Sequence, residues 1–132
     1  MRIVFKKSQS SMEFFTLVGF AFLTSIIIIA VSVSEIKEFR DKKEFNLIKD
    51  LGLKLQKEVA IANYVENGYQ RTFDIPQKLE GSFNYTIINT NSTIIINATK
   101  TSFSAAMPFV EGNFTKGSNK ITRANNKVYI NK

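Results

Sequence analysis

The sequence of 132 residues contains no cysteine and no histidine. Without cysteine, no disulfide contributes to its stability and no thiol can act as a nucleophile. Without histidine, the commonest general base and a frequent metal ligand are both missing. The acidic residues of the C-terminal half are Asp74, Glu80 and Glu111, and none has an obvious catalytic partner nearby in the sequence. We therefore expect a protein that is not an enzyme and that holds no metal ion or cofactor.

A long uncharged segment lies near the N-terminus. Residues 14–33, from Phe14 to Val33, contain no charged side chain and no proline, and they include four consecutive isoleucines, Ile26 to Ile29. As a helix this segment would rise about 30 Å, which matches the hydrocarbon core of a bilayer. Because a backbone in lipid must form its hydrogen bonds internally, a helix is favoured despite the isoleucines. The segment predicts one membrane-spanning helix.

The helical pattern continues beyond this segment. Acidic and basic residues alternate there, and apolar residues recur at spacings of three and four up to a stop at Asn67-Gly68. The acidic residues Glu35, Glu38, Asp41 and Glu44 are interpreted as ion-paired residues on solvent or intersubunit faces. We expect one helix from about Met12 to Glu66. Its apolar positions after residue 34 are Ile36, Phe39, Leu47, Leu51, Leu55, Val59 and Ala62.

The remainder of the chain has the composition of short strands and turns. Six segments rich in Tyr, Phe, Ile and Thr are separated by proline, glycine and asparagine. The fold class predicted is therefore α+β, with a long N-terminal helix packed against a small C-terminal antiparallel β-sheet. The expected strands are Tyr69–Ile75, Ser82–Asn89, Thr93–Ala98, Thr101–Ala106, Asn119–Arg123 and Lys127–Ile130.

The formal net charge of +7 is unevenly distributed. Residues 35–66 are electrically balanced, whereas the first eight residues and the C-terminal part are basic. The C-terminal excess fits either a patch for nucleic acid or another anionic polymer, or a solvated sheet face whose lysines discourage edge pairing. Few aromatic residues lie between the basic ones, so we do not expect nucleic acid as a partner. The basic residues after Gly112 are Lys116, Lys120, Arg123, Lys127 and Lys132.

The residues just before the apolar segment form a recognisable motif. After Lys6-Lys7-Ser8 the chain reads Q-x-S-x-E-x-x-x-L, formed by Gln9, Ser11, Glu13 and Leu17. This pattern resembles the class III signal peptide of euryarchaeal type IV pilins. The resemblance implies that a prepilin peptidase cleaves between Ser8 and Gln9. It also implies four regions: a leader (1–8), a hydrophobic transmembrane and filament-core helix (9–34), an amphipathic helix (35–68) and a β-rich extracellular head (69–132).

The resemblance also implies roles for residues. Glu13 would be the fifth residue of the mature chain, and Gln9, Ser11, Glu13 and Leu17 would guide assembly. Implied partners are further copies of the chain, other pilins, the prepilin peptidase and the assembly machinery. The precursor would lie in the membrane and the mature protein in an extracellular surface filament, for which the resemblance implies a role in adhesion. The filament core implied consists of Phe14, Phe15, Leu17, Phe20, Phe22, Ile26, Ile27, Ile28 and Ile29.

Two other interpretations of the N-terminus remain open. Ala30-Val31-Ser32 resembles the cleavage site of an ordinary secretory signal, although the apolar segment exceeds the usual 7–15 residues of such signals. An uncleaved anchor that displays a binding module without polymerising is also compatible, because basic residues flank both ends of the segment. Four Asn-x-Ser/Thr sequons either mark candidates for N-glycosylation, which would fit an extracellular C-terminal part, or simply supply asparagine and threonine to turns and strands. They begin at Asn84, Asn91, Asn97 and Asn113.

Overall fold

The computed structural model describes residues 4–90 and 92–132, with side chains from Ser10 onward outside position 91. Helix α1 spans Val4–Tyr64. The chain divides into two compact units, Met1–Arg40 and Asp41–Lys132. We call the second the head unit. The described residues of the first unit are all helical. The α1 residues from Asp41 onward belong to the same compact unit as the strands. The four regions proposed from the sequence stay predictions.

Seven strands follow the helix in the described residues, and the predicted α+β class is confirmed. Their bounds are β1 Gln70–Ile75, β2 Tyr85–Thr90, β3 Thr93–Ala98, β4 Ser102–Ala106, β5 Val110–Gly112, β6 Gly117–Ala124 and β7 Lys127–Ile130. All six predicted strands are present within a few residues of their expected bounds, and β5 is additional. The strands form two sheets, in the orders β1-β6-β7-β5 and β2-β3-β4; among the described pairs, β5 and β7 are parallel and the others antiparallel.

One stripe of α1 forms the helical side of the core. Burial at spacings of three and four is the pattern of a helix that packs with one face. Strand residues such as Ile96 and Ile121 complete the same cluster. The expected apolar positions Ile36 and Phe39, by contrast, are exposed. The buried helix residues are Ile48, Leu51, Leu55, Val59 and Ala62.

Glu44 differs from its expected role on a solvent or intersubunit face. Its side chain is buried, and its Oε1 accepts a hydrogen bond of 2.9 Å from the backbone N–H of Thr99. A buried carboxylate requires such a donor, because burial without a partner costs several kcal/mol, roughly. Asp41 agrees with expectation, since it forms an ion pair with Lys100 at 3.1 Å. The bend between β3 and β4, which contains Thr99, could not be placed over Glu44 from sequence spacing alone.

The end of α1 is held by a residue from a distant strand. The helix ends at Tyr64, two residues before the expected position, and Gly68 follows with φ +98°. The last helical turn has no basic residue of its own. The Arg123 guanidinium of β6 instead donates to the carbonyl oxygens of Ala62, at 3.3 Å, and Asn63. A cation at this end also interacts favourably with the helix dipole.

Candidate assembly helix and head surface

Within the described residues, the side chains of the apolar segment 14–33 are not buried. An 18-residue window of α1 is apolar and long enough to cross a membrane, and no residue of that window is buried. Its exposed large apolar side chains range from 49% exposed at Val33 to 70% at Phe15, whereas Val18 is half-buried. The predicted core residues Phe14, Leu17, Phe20, Phe22 and Ile26 to Ile29 all lie within this range. Exposed apolar surface of this extent marks contact with lipid or protein.

Polar groups within the segment are satisfied by the helix itself. The hydroxyl of Thr16 donates to the Met12 carbonyl at 2.7 Å, and that of Ser32 donates to the Ile28 carbonyl at 2.9 Å. Thr24 and Ser25 both donate to the carbonyl of Ala21. Hydroxyls bonded in this way need neither water nor a partner molecule. The segment can therefore enter lipid or a packed helix bundle without burying an unpaired hydroxyl.

The motif residues lie at the N-terminal edge of this surface. Ser11, Glu13 and Leu17 are exposed on α1. Because four residues make slightly more than one turn, Glu13 and Leu17 lie on the same side of the helix. The side chains of Ser8 and Gln9, the predicted cleavage site, are outside the described residues. The cleavage site is therefore still a prediction from the sequence.

The basic residues of the C-terminal part mostly have partners in the head unit. Lys127 and Lys132 form ion pairs with Glu111 at 3.0 Å and 3.4 Å. The hydrogen bond from Lys127 is the main cause that lowers the pKa of the Glu111 carboxyl, and the same bond raises the pKa of Lys127. Lys116 lies 4.4 Å from the ring centroid of Tyr85. Three of the five basic residues after Gly112 therefore contact acidic or aromatic side chains of the head unit itself.

Comparisons with protein-family models, with curated proteins and with solved structures give no match. The resemblance to type IV pilins therefore rests on the motif and on the order of helix and strands. Within the described residues, no group of three or more acidic side chains is placed to hold a metal ion.

Two asparagines that the sequence did not single out form hydrogen bonds with the backbone of the head unit. Asn119 is almost fully buried, and its Oδ1 accepts from the Thr115 N–H at 2.8 Å. Its Nδ2 donates to the carbonyls of Thr115 and Gly117. Asn89 of β2 donates to the Gly112 carbonyl at 2.8 Å and so links the two sheets. No sequence signal separates these asparagines from those in turns, because only the tertiary contacts decide which are buried.

The four sequons occupy different environments. Asn84 and Asn113 are exposed, and Asn97 is half-buried in β3. Asn91 is outside the described residues. Exposure alone therefore separates Asn97 from Asn84 and Asn113, but it does not distinguish between the latter two.

Proposed function

We propose that this chain is a structural subunit, a major or minor pilin, of an archaeal type IV pilus-like surface filament. The observation that carries the proposal is the uncovered apolar helix directly after the Q-x-S-x-E-x-x-x-L motif. A filament core made of many such helices would cover the side chains that the single chain leaves exposed. The β-rich part would form the outer surface and carry adhesion. Its sequons are consistent with an extracellular, glycosylated surface.

The apolar helix can leave the membrane only if the helices of other subunits cover its surface. Lipid chains are as apolar as the side chains that they contact, so helices in a membrane associate mainly by packing and polar contacts. In water the same surface would cost about 25 cal/mol for each Å² exposed. The helices of a filament must therefore cover one another as each subunit leaves the membrane.

Glu13 is proposed as the residue that sets the position of each subunit. A carboxylate within a membrane helix costs about 2.5–3.5 kcal/mol at the centre and less at the edge, where Glu13 lies. The free amine of a neighbouring subunit's Gln9 after cleavage would offset that cost. If Gln9 cyclises, its amide still offers a hydrogen bond. This contact would favour one axial position over others.

The first test is the mass of the N-terminal peptide in sheared filaments and in membranes. We expect a chain that begins at Gln9, or its cyclised form, in the sheared fraction. A chain that begins at Met1 and stays in membranes would instead support the anchored binding module, which the exposed apolar helix also fits. A soluble chain that begins at Val33 would indicate an ordinary secretory signal.

The second test separates processing from assembly. Glu13→Ala should be cleaved normally but should yield no filaments, because the positioning contact is lost. The matched control is Glu35→Ala, an exposed carboxylate at the other end of the apolar segment, which should still form filaments. Normal filaments from Glu13→Ala would contradict the role proposed for Glu13.

A further inference from the structure

An open pocket of about 490 Å³ lies beside the end of α1 in the head unit. This volume is in the range of sites that take small molecules, roughly 300–1,000 Å³. Two segments far apart in the sequence form the pocket, the exit from the helix and the hairpin of β6 and β7. Its lining residues are Tyr64, Val65, Glu66, Asn67, Arg123 and Asn126.

Hydrogen bonds between the two segments fix the shape of the pocket. The Asn67 Nδ2 donates to the Asn126 Oδ1 at 3.2 Å, and the Asn67 Oδ1 accepts from the backbone N–H of Asn126 at 2.9 Å. The N–H of Gly68 donates to the Arg123 carbonyl oxygen at 2.9 Å. Together with the bonds from Arg123 to the helix end, these contacts hold the polar groups in place before a ligand arrives, which lowers the entropy cost of binding.

The groups of the pocket that face solvent are polar or aromatic. The Tyr64 ring is 88% exposed, and Glu66, Asn67 and Asn126 are exposed as well. Each carboxamide carries two N–H donors, and the bond between the two amides uses one of the Asn67 donors. Recognition surfaces combine tyrosine and asparagine, because tyrosine provides rigid contact area and asparagine provides adaptable hydrogen bonds. These side chains can therefore bind a ligand that offers both an apolar face and hydrogen-bonding groups.

The charges around the pocket select against ionic ligands. An anion would meet the exposed Glu66 carboxylate. A cation would meet the Arg123 guanidinium in the pocket lining, and a head unit with thirteen basic residues against eight acidic ones. A purely apolar ligand would leave the two carboxamides without partners, which is costly. The class of ligand that remains is a neutral molecule rich in hydroxyl groups.

We propose that this pocket binds a neutral saccharide, with one pyranose ring stacked on Tyr64. Hydroxyls of that ring bond to the side chains of Glu66, Asn67 and Asn126. Because a hydroxyl both donates and accepts, carboxamide donors and a carboxylate acceptor can hold neighbouring hydroxyls of one ring. The C–H face of the ring is apolar and covers the exposed phenol. The inference rests on the proposed function, since it gives the adhesive role of the head unit a site and a class of ligand.

The binding test uses the full chain, labelled with ¹⁵N and dispersed in a polyoxyethylene detergent, which carries no sugar group. The probes are the methyl glycosides of glucose, galactose and mannose, each at about 10 mM, a concentration suited to dissociation constants in the millimolar range. We expect at least one probe to shift the NMR signals of the Asn67 and Asn126 side-chain amides. No shift with any probe would overturn the proposal. Shifts that follow protein concentration alone would also overturn it, because they would indicate a second copy of the chain at the pocket.

The matching uronic acid of the glycoside that binds best tests the choice of a neutral ligand. It keeps the ring and replaces one hydroxymethyl group by a carboxylate. Because this carboxylate adds a negative charge beside Glu66, we expect the uronic acid to bind several times more weakly, roughly. Equal or tighter binding of the uronic acid would overturn the assignment of a neutral saccharide.

Substitutions at the pocket locate the bound sugar. Tyr64→Ala should weaken binding roughly five- to tenfold through loss of the stacking surface, and Tyr64→Phe, which keeps the ring, should lose less. Asn126→Gly should also weaken binding. It removes the carboxamide but tolerates the φ of +59° and keeps the backbone N–H that bonds Asn67. Phe109→Ala, at an exposed aromatic residue outside the pocket lining, is the control and should bind normally. Unchanged binding by both Tyr64→Ala and Asn126→Gly would place the sugar elsewhere and overturn the proposal.

The saccharide site and the filament can fail separately. Filaments whose subunits begin at Gln9, together with a chain that binds none of the glycosides, would refute the site and leave the filament. A chain that binds a glycoside at Tyr64 but still begins at Met1 and stays in membranes would refute prepilin processing and leave the site. The amide shifts and the mass of the N-terminal peptide therefore distinguish the two failures.

Discussion

Two leucines close together on α1 offer a direct test of which helix face holds the head unit together. Leu55 is fully buried in the core, whereas Leu53 is 43% exposed. Both are changed to alanine, which is a good helix former, so the helix itself is little affected. The comparison isolates packing because residue type and replacement are the same at both positions.

The expected magnitudes differ clearly. Leucine to alanine in a packed core costs about 2–5 kcal/mol, from lost burial and from the cavity that remains. For Leu55, in contact with both helix and strand residues of the core, we expect about 3 kcal/mol in the free energy of unfolding. For Leu53, whose side chain already contacts solvent, we expect about 1 kcal/mol or less. The difference of about 2 kcal/mol between the two variants corresponds to a difference of roughly 1 M between their urea midpoints.

The assay is urea unfolding of the full chain in mild detergent, followed by tyrosine fluorescence. The protein has no tryptophan. Its four tyrosines, at positions 64, 69, 85 and 129, all lie in the head unit. The signal therefore reports unfolding of the head unit and is insensitive to the apolar segment in the detergent micelle.

The result that would refute this reasoning is an equal loss of stability for the two variants. Equal losses would mean that Leu53 is buried in solution, or that Leu55 is not. Because the protein is dispersed in detergent, filament contacts do not contribute to either value. A small loss for both would show that this part of α1 is not packed on the strands.

Two further predictions concern the helix–strand contact and an ion pair. A Cβ added at Gly52 would lie 2.5 Å from the Phe103 ring. Gly52→Ala should therefore destabilise the head unit by about 1–2 kcal/mol. The cost of overpacking exceeds the gain of about 1 kcal/mol that alanine brings in helix propensity. In a Phe103→Ala background the same change should be stabilising, and an equal effect in both backgrounds would contradict the contact. The lowered pKa of Glu111 adds stability that is present above its ordinary pKa of 4.5 and lost as the pH falls through the lower folded value. Lys127→Met should raise the Glu111 pKa toward 4.5 in an NMR titration, and an unchanged pKa would show that Lys127 is not its cause.

Several elements were predictable because their signals are local. The Asn125-Asn126 turn between β6 and β7 is an example, since both residues have positive φ, near 50° and 59°. Asparagine tolerates that conformation, and a two-residue hairpin requires it at both positions. Strand β5 was not predictable. It is three residues long and pairs parallel with β7, and Gly112 is needed there because a Cβ would clash with the Ile130 carbonyl oxygen.

The sequence by itself determined the long helix, its uncovered apolar half and most of the strands, because composition and periodicity act over neighbouring residues. It also contained the motif from Gln9 to Leu17 and all four sequons. Only the tertiary structure decided how the strands divide into two sheets, that Arg123 holds the end of α1, and that Asn97 is half-buried whereas Asn84 and Asn113 are exposed. Those outcomes depend on contacts between residues far apart in the chain, which local spacing does not specify.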